Sequence, residues 1–343
     1  MKTARPAPPW LSVVIPVQDP AEDIAGCLYS LAACREPGLE AILVGQERSG
    51  ASLANAQALA REMLLPLKTI SQPEASPGAM RNLGAAQARG EILFFTLPAC
   101  CIPPGLPERL KLLFVDPSLS AVGGGVRALE PASPLARLTA LEMSFNHGRP
   151  ERQNRSERQN RPERESEPCP FMACAALRAS AFRAAGMCNE SLVQAESSDL
   201  ALCQGLLAQG GAVKQDPELW VSLDLPGAWG QVWRRQIRRG ENRFHELRSG
   251  LRLPGEAYLQ PMLLLLALGL LLVLGPQDLN RAATLALICV LLLYPANRAF
   301  LKYVGHQEPD LLKKAFFLCL WRPLAWLSGM LKAALGRLGL STK

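Results

Sequence analysis

The sequence predicts an α/β fold, a sheet covered on both faces by helices, followed by a C-terminal pair of long apolar helices. Short continuous apolar runs, of the kind a buried parallel strand needs, alternate with amphipathic stretches at βαβ spacing through the N-terminal part. Two apolar runs then follow one another near the C-terminus. A chain of 343 residues, 49% of them apolar, is long enough for one large domain and a further part.

LSVVIPV is the first strand, followed by the turn QDPAED and the helix IAGCLYSLAAC. LEAILVG is the second, leading through QERSG into the helix ASLANAQALAREML. LKTIS is a short third strand, and SPGAMRN opens a helix ending at Gly90. EILFFT is the fourth strand and runs into LPACCIPPG. Further on, PFMACAALRASAFRAAGM reads as a strand entering a helix, and ESSDLALCQGLLAQGGAVKQDPELWVSL as a helix, a glycine turn and a strand. In sheets of this kind ligands bind outside the carboxyl ends of the strands, which directs attention to 17–23, 45–50, 72–82 and 96–105.

AYLQPMLLLLALGLLLVLG offers roughly 18 residues without a charge, enough to cross a bilayer's hydrocarbon core. AATLALICVLLLYPANRAF follows after the short turn PQDLNR, so 257–304 is expected to form a transmembrane hairpin. Arginines crowd the segment before the first run, and Arg298, Lys302, Lys313 and Lys314 follow the second, with only Arg281 in the turn between them. That asymmetry predicts a multi-pass inner-membrane protein whose large domain is cytoplasmic. MKTARPAPPWLSVVIP lacks the apolar core of a signal peptide, in keeping with this expectation. The final stretch, 310–343, carries Arg322 and Pro323 amid apolar residues and reads as an amphipathic interfacial helix or a third span.

The net charge of +7 is then in part a membrane-surface and topology feature. No nucleic-acid partner is expected, because there is no recognised binding module and few aromatics are interleaved with the basic residues. The ten cysteines show neither CxxC spacing nor histidines at zinc-ligand spacing and read as small core residues in a reducing compartment. Between 148 and 168 the sequence GRPERQNRSERQNRPERESEP repeats ERQNR six residues apart. It has nothing apolar to bury and reads as a duplicated surface loop, the alternative being an arginine-rich flap near an anionic ligand.

Four segments, in order, resemble the family 2 glycosyltransferases of the GT-A fold. LSVVIPVQDPAEDIAGCLYSL is similar to the family's opening strand, turn and helix, with Asp19 where asparagine is usual. SPGAMRNLGAAQARGEILFF resembles the segment around the family's Arg-Asn pair, here Arg81 and Asn82, and includes Gly90. AGMCNESLVQAESSDLALCQGLLAQGG resembles the acceptor-side helix, and PELWV the strand after it. QVWRRQIRRGENRF is similar to the membrane-proximal Gln-x-x-Arg element through Gln236 and Arg239. Gly240 stands where processive synthases have tryptophan, which argues against a processive polysaccharide synthase.

The resemblance implies a GT-A mixed sheet over 1–250 and transfer of a sugar from a nucleotide-sugar donor to a lipid-linked or cell-envelope glycan acceptor. It implies nucleotide contacts at Pro16, Val17, Asp19, Glu47, Arg81 and Asn82, diphosphate or acceptor contacts at Gln236, Arg238 and Arg239, and catalytic acids at Glu196 and Asp199. Such chemistry needs a carboxylate base for the acceptor hydroxyl and a cation, usually Mg2+ or Mn2+ held by carboxylates, beside the departing diphosphate.

This chain departs at each acidic position. Glu47 is the only carboxylate after the second strand. The Asp-x-Asp position falls on Leu97, Pro98, Ala99 or on Pro98, Ala99, Cys100. The Glu-Asp pair becomes Glu196, Ser197, and serine has no proton affinity to act as base near neutral pH. No metal ligands are therefore assigned, although the family implies the metal. The alternative to a transferase is an inactive pseudo-glycosyltransferase serving as partner or scaffold of an active envelope-glycan synthase. A general basic membrane or nucleic-acid binder explains the charge but not the four ordered segments.

Overall fold

β1 (Leu11–Val17), α1 (Ala25–Ala33), β2 (Leu39–Gln46), α2 (Gly50–Glu62), β3 (Leu67–Gln72), α3 (Pro77–Gln87) and β4 (Ile92–Thr96) follow one another as the alternating pattern requires. The computed structural model describes residues 8–18, 24–46, 50–73, 75–148, 172–190, 195–248, 256–274, 278–291 and 293–337. Asp19, Glu47 and residues 149–168 of the low-complexity segment lie outside the described residues.

Every residue of β1 and β4 is buried, which requires cover on both faces and explains why their sequences are apolar without alternation. Met80 of α3 packs with Ile42 and Val44 of β2. Leu93 and Phe95 of β4 pack with residues of two later helices, α6 (Ala179–Ala184) and α7 (Ala195–Ala208), with the Phe95 and Phe182 rings 5.3 Å apart.

Further strands complete an eight-stranded mixed sheet. They are β5 (Cys100–Cys101), β6 (Leu119–Ala128), β7 (Cys174–Arg178) and β8 (Ala212–Leu223), and the order is β3-β2-β1-β4-β7-β6-β8-β5. The first four of that order are parallel, β7 is antiparallel to both neighbours, and β5 is antiparallel to β8. The strand–helix and helix–turn–strand readings of 170–223 correspond to β7, α6, α7 and β8. β5, β6 and α4 (Leu106–Phe114) had no counterpart in the sequence reading.

The chain divides into two units, residues 1–130 with 146–224, and 131–145 with 225–343. The first holds the sheet. The second is helical: most of α5 (Pro134–Gly148), then α8 (Trp229–Arg248), α9 (Glu256–Leu274), α10 (Leu279–Leu291), α11 (Leu293–Gln307) and α12 (Leu312–Arg337). Its apolar core gathers Leu138 and Phe145 of α5, Val232 of α8, Phe300 and Val304 of α11 and Leu318 of α12.

The expected multi-pass inner-membrane topology, with C-terminal transmembrane helices and a cytoplasmic domain, is corrected here: among the described residues no helix is long and apolar enough to cross a membrane. The second apolar run is divided between α10, of 13 residues, and α11, which carries Arg298 and Lys302. Thirteen residues rise about 20 Å, short of a ~30 Å hydrocarbon core. Helix α9 has 19 residues, but Gln260 lies in a buried hydrogen-bonded network, and the stretch without a polar side chain, 262–274, is again only about 20 Å long. Arg322 and Pro323 fall inside α12.

Candidate functional site

The carboxyl ends of β1, β2, β3 and β4 open on one edge of the sheet. Pro16 and Val17 end β1 with buried side chains, in register with Val44 and Gly45 of β2. Gln46 Nε2 donates to the Ala75 carbonyl at 3.3 Å, tying the end of β2 to the approach of α3. There Ser76 caps α3: its Oγ accepts from Ala79 N at 3.2 Å and donates to the Glu190 carbonyl at 2.9 Å.

One turn into α3, the Arg-Asn pair is committed to the protein itself. Arg81 Nη1 meets Asp199 Oδ1 of α7 at 2.7 Å, with side chains 2% and 3% exposed. Asp199 Oδ2 also accepts from Met172 N at 3.3 Å. Asn82 grips Cys188 with both ends of its amide. Cys188 N donates to Asn82 Oδ1 and Asn82 Nδ2 donates to the Cys188 carbonyl, each at 2.9 Å. Nδ2 also donates to Glu190 Oε1 at 2.8 Å. Gly186 (φ 87°) and Met187 (φ 62°) turn the chain so that Cys188 presents both backbone groups to one side chain.

Two candidates expected in different roles, Arg81 as a nucleotide contact and Asp199 as a catalytic acid, are thus brought together as a pair. Glu196 belongs to the first turn of α7, and its side chain lies outside the described residues.

The turn after β4 is short and uncharged. Thr96 Oγ1 donates to the Ala173 carbonyl at 3.0 Å, Cys100 N closes the turn on the Leu97 carbonyl at 3.0 Å, and Cys100 and Cys101 then pair with Leu223 and Ser222 of β8. Burial pushes the Cys100 thiol up to about 11 and raises Cys27 and Cys174 as well, so these thiols are protonated core groups and not nucleophiles. Gly90 sits where a Cβ would press on Ser12. Its N–H donates to Ser12 Oγ at 2.8 Å, and that hydroxyl donates to Glu40 Oε1 at 2.7 Å.

Gln236, Arg238 and Arg239 belong to the helical unit. Arg238 is exposed, whereas Gln236 and Arg239 are buried around Glu142 of α5. Gln236 Nε2 donates to both Glu142 oxygens, at 3.0 and 2.8 Å, and Arg239 Nη1 lies 3.1 Å from Oε1. Arg322 Nη1 of α12 reaches the same oxygen at 3.3 Å, while its Nη2 donates to Gln260 Oε1 at 3.3 Å and to Asn297. Trp326 Nε1 donates to Gln236 Oε1 at 2.9 Å, and the Arg322 guanidinium lies 4.9 Å from the Trp326 ring centre. Burial alone would raise the Glu142 carboxyl, but the Arg239, Arg322 and Arg235 charges and the Gln236 hydrogen bond hold it below the usual carboxylate range. Sequence reading passed over Glu142, Gln260, Asn297 and Trp326. The one available signal was a lone acid in the apolar stretch LARLTALEMSF.

No protein-family model and no curated protein matches the chain. Among solved structures it matches the mannosyltransferase PcManGT from Pyrobaculum calidifontis, in complex with GDP-Man and Mn2+, with a TM-score of 0.57 and 14% identity, over 96% of this chain and 88% of that one. The chain has a GT-A-like glycosyltransferase fold. Structures of S. aureus TarS 1-349 also match, alone at a TM-score of 0.44 and 14% identity and with UDP-GlcNAc at 0.45 and 12%, each over 97% of this chain and 93% of that one. Likeness at that level adds nothing to the argument.

For a GT-A-like site the decisive question is whether the residues present fit a divalent cation. They do not. The turn after β4 offers Leu97, Pro98 and Ala99, none with a hard oxygen side chain, and among the described residues no group of three His, Cys, Asp or Glu side chains could hold a metal.

Proposed function

We propose that this chain is a catalytically inactive glycosyltransferase relative, a pseudo-glycosyltransferase that serves as partner of an active envelope-glycan synthase acting on a nucleotide-sugar donor. The observation that carries this reading is the buried Arg81–Asp199 pair. A guanidinium closed on a carboxylate inside the protein is not available to a departing diphosphate, and a carboxylate held by that guanidinium is a poor base. The uncharged turn at 97–99 removes the usual metal ligands independently, and Ser197 replaces the usual base. Each loss alone is worth orders of magnitude in rate.

The second reading, a metal-independent transferase, is favoured by one feature: Glu196 keeps an acid in the first turn of α7. The test is release of nucleoside diphosphate from UDP- and GDP-sugars by the purified full chain, with and without Mn2+. No release above buffer is expected. Release that Glu196→Gln abolishes would establish the transferase. The partner role is tested by co-purification from native cells: a transferase with intact acidic motifs should accompany the chain and lose activity when the chain is removed. Full activity of that transferase alone would sink the partner role.

A further inference from the structure

We infer that the helical unit carries a docking surface for an anionic lipid bilayer, built from aromatic side chains on α8 and α12 and bordered by cations, with helices lying on the surface and none crossing it. An ordinary surface helix buries its apolar stripe and turns charge outward. Helix α12 buries an apolar stripe with Leu318, Cys319 and Ala325, but it also turns a charge inward and large aromatic side chains outward. Arg322 points into the Glu142 network, whereas Phe316, Phe317 and Trp321 are 46%, 46% and 45% exposed. On α8, Trp229 and Trp233 stand one turn apart and are 38% and 36% exposed. The two sets meet: Trp229 with Phe317 at 5.1 Å, Trp233 with Trp321 at 6.5 Å and Phe317 with Trp321 at 5.7 Å between ring centres. Trp229, Trp233, Phe317 and Trp321, joined ring to ring and left partly open, form the kind of patch that marks an interaction site, and Phe316 is exposed next to Phe317 in the chain.

Charge and ring geometry decide the partner. Helix α12 contains no aspartate or glutamate, and α8 has none before Glu241. Arg234 and Arg238 are exposed along the edge of the tryptophan stripe, and Lys313 is exposed one turn before Phe317. Aromatic rings bordered by long cationic side chains match the interface of an anionic bilayer, where rings sit at headgroup level and cations reach phosphates. The rings do not form a flat platform for stacking on a glycan, because Trp229–Phe317 and Trp233–Trp321 meet nearly edge-on, at 77° and 73°. A second copy of this chain would bring the same cations against themselves.

The inference is independent of whether the chain transfers sugar. Its test is co-sedimentation of the full chain with vesicles of phosphatidylcholine alone and of phosphatidylcholine with phosphatidylglycerol. Binding to the anionic vesicles is expected, and Phe316→Ser/Trp321→Ser should reduce the partition coefficient by at least about tenfold. Arg234→Glu/Arg238→Glu should remove the preference for anionic lipid. In the unmodified protein, vesicles with brominated acyl chains should quench tryptophan emission, a readout that needs no variant to fold. Protein that stays in the supernatant with anionic vesicles, or emission unchanged by brominated lipid, overturns the inference. So does a lipid-free dimer that the aromatic substitutions dissociate.

Discussion

Arg81 and Asp199, 118 residues apart in the chain, close a 2.7 Å ion pair that joins α3 to α7 with both side chains nearly removed from solvent. Removing one partner strands the other as a buried charge. Arg81→Ala is therefore expected to cost about 3–5 kcal/mol in urea unfolding. Arg81→Met/Asp199→Leu, which removes both charges and keeps volume, should recover most of that loss. A single Arg81→Ala loss under about 1 kcal/mol would mean that the pair is not closed in solution.

The uncharged turn after β4 gives a prediction by restoration. Cys100 is fully buried and paired with Leu223, so an acid at 100 would face the core, whereas Ala99 is exposed and Leu97 is half-buried. The Leu97–Ala99 register is the one in which two acids reach solvent. Leu97→Asp/Ala99→Asp should make UDP or GDP binding tighten at least about tenfold on addition of Mn2+, while the unmodified chain shows no metal dependence. Isothermal titration with and without Mn2+ measures both. A restored turn that stays indifferent to Mn2+ counts against this edge of the sheet as the donor side.

β1, β2 and β4 were legible because a strand buried on both faces is written as an unbroken apolar run, and α3 because Ser76 and Pro77 mark its start. β6 was not, because LSAVGGGVRA places three glycines where the apolar signal should be and pairs with β8 through two register shifts. β5, two residues long, has no periodicity to read. The candidate residues Arg81, Asn82 and Asp199 are buried and hydrogen-bonded within the protein, and nothing local in the sequence says that Arg81 and Asp199 neutralise each other. The partner of Arg322 was hidden for the same reason. An arginine among apolar residues does not by itself reveal that it turns inward to Glu142, 180 residues earlier.

Gly240 was read from the sequence only as a missing tryptophan; in the structure it is a helix contact. A Cβ there would overlap the Trp326 carbonyl, and one at Gly329 would overlap the Ile237 carbonyl, so α8 and α12 approach backbone to backbone through a reciprocal pair of glycines. Backbone cannot move aside as a flexible side chain can. Gly240→Ala and Gly329→Ala are each expected to destabilise the chain by about 1–3 kcal/mol, and Gly240→Trp to prevent the two helices from docking. Thermal unfolding checks the alanine variants. An unchanged midpoint in both would mean that the crossing is looser than the structure has it.

Glu142 ties the helical unit's stability to pH, and the sign follows from its surroundings. Burial alone would raise its pKa, but Arg239, Arg322 and Arg235 together with the Gln236 hydrogen bond lower it below the unfolded value of about 4.3. A group with a depressed folded pKa contributes stability that is present above its unfolded pKa and lost as pH falls through the folded one. Stability should therefore hold from about pH 7 to about pH 5 and decline below about pH 4. Glu142→Gln should flatten the part of the decline that belongs to this site. It should also lower stability at neutral pH by about 3–5 kcal/mol, because Arg239 and Arg322 lose their shared anion. Glu40, held low by Ser12 and Arg89 against its own burial, adds a second contribution of the same sign from the sheet unit. Urea unfolding followed by tryptophan emission across this pH range measures the sum. An acid decline in Glu142→Gln as steep as in the unmodified chain would place the whole effect at Glu40 and the other carboxylates.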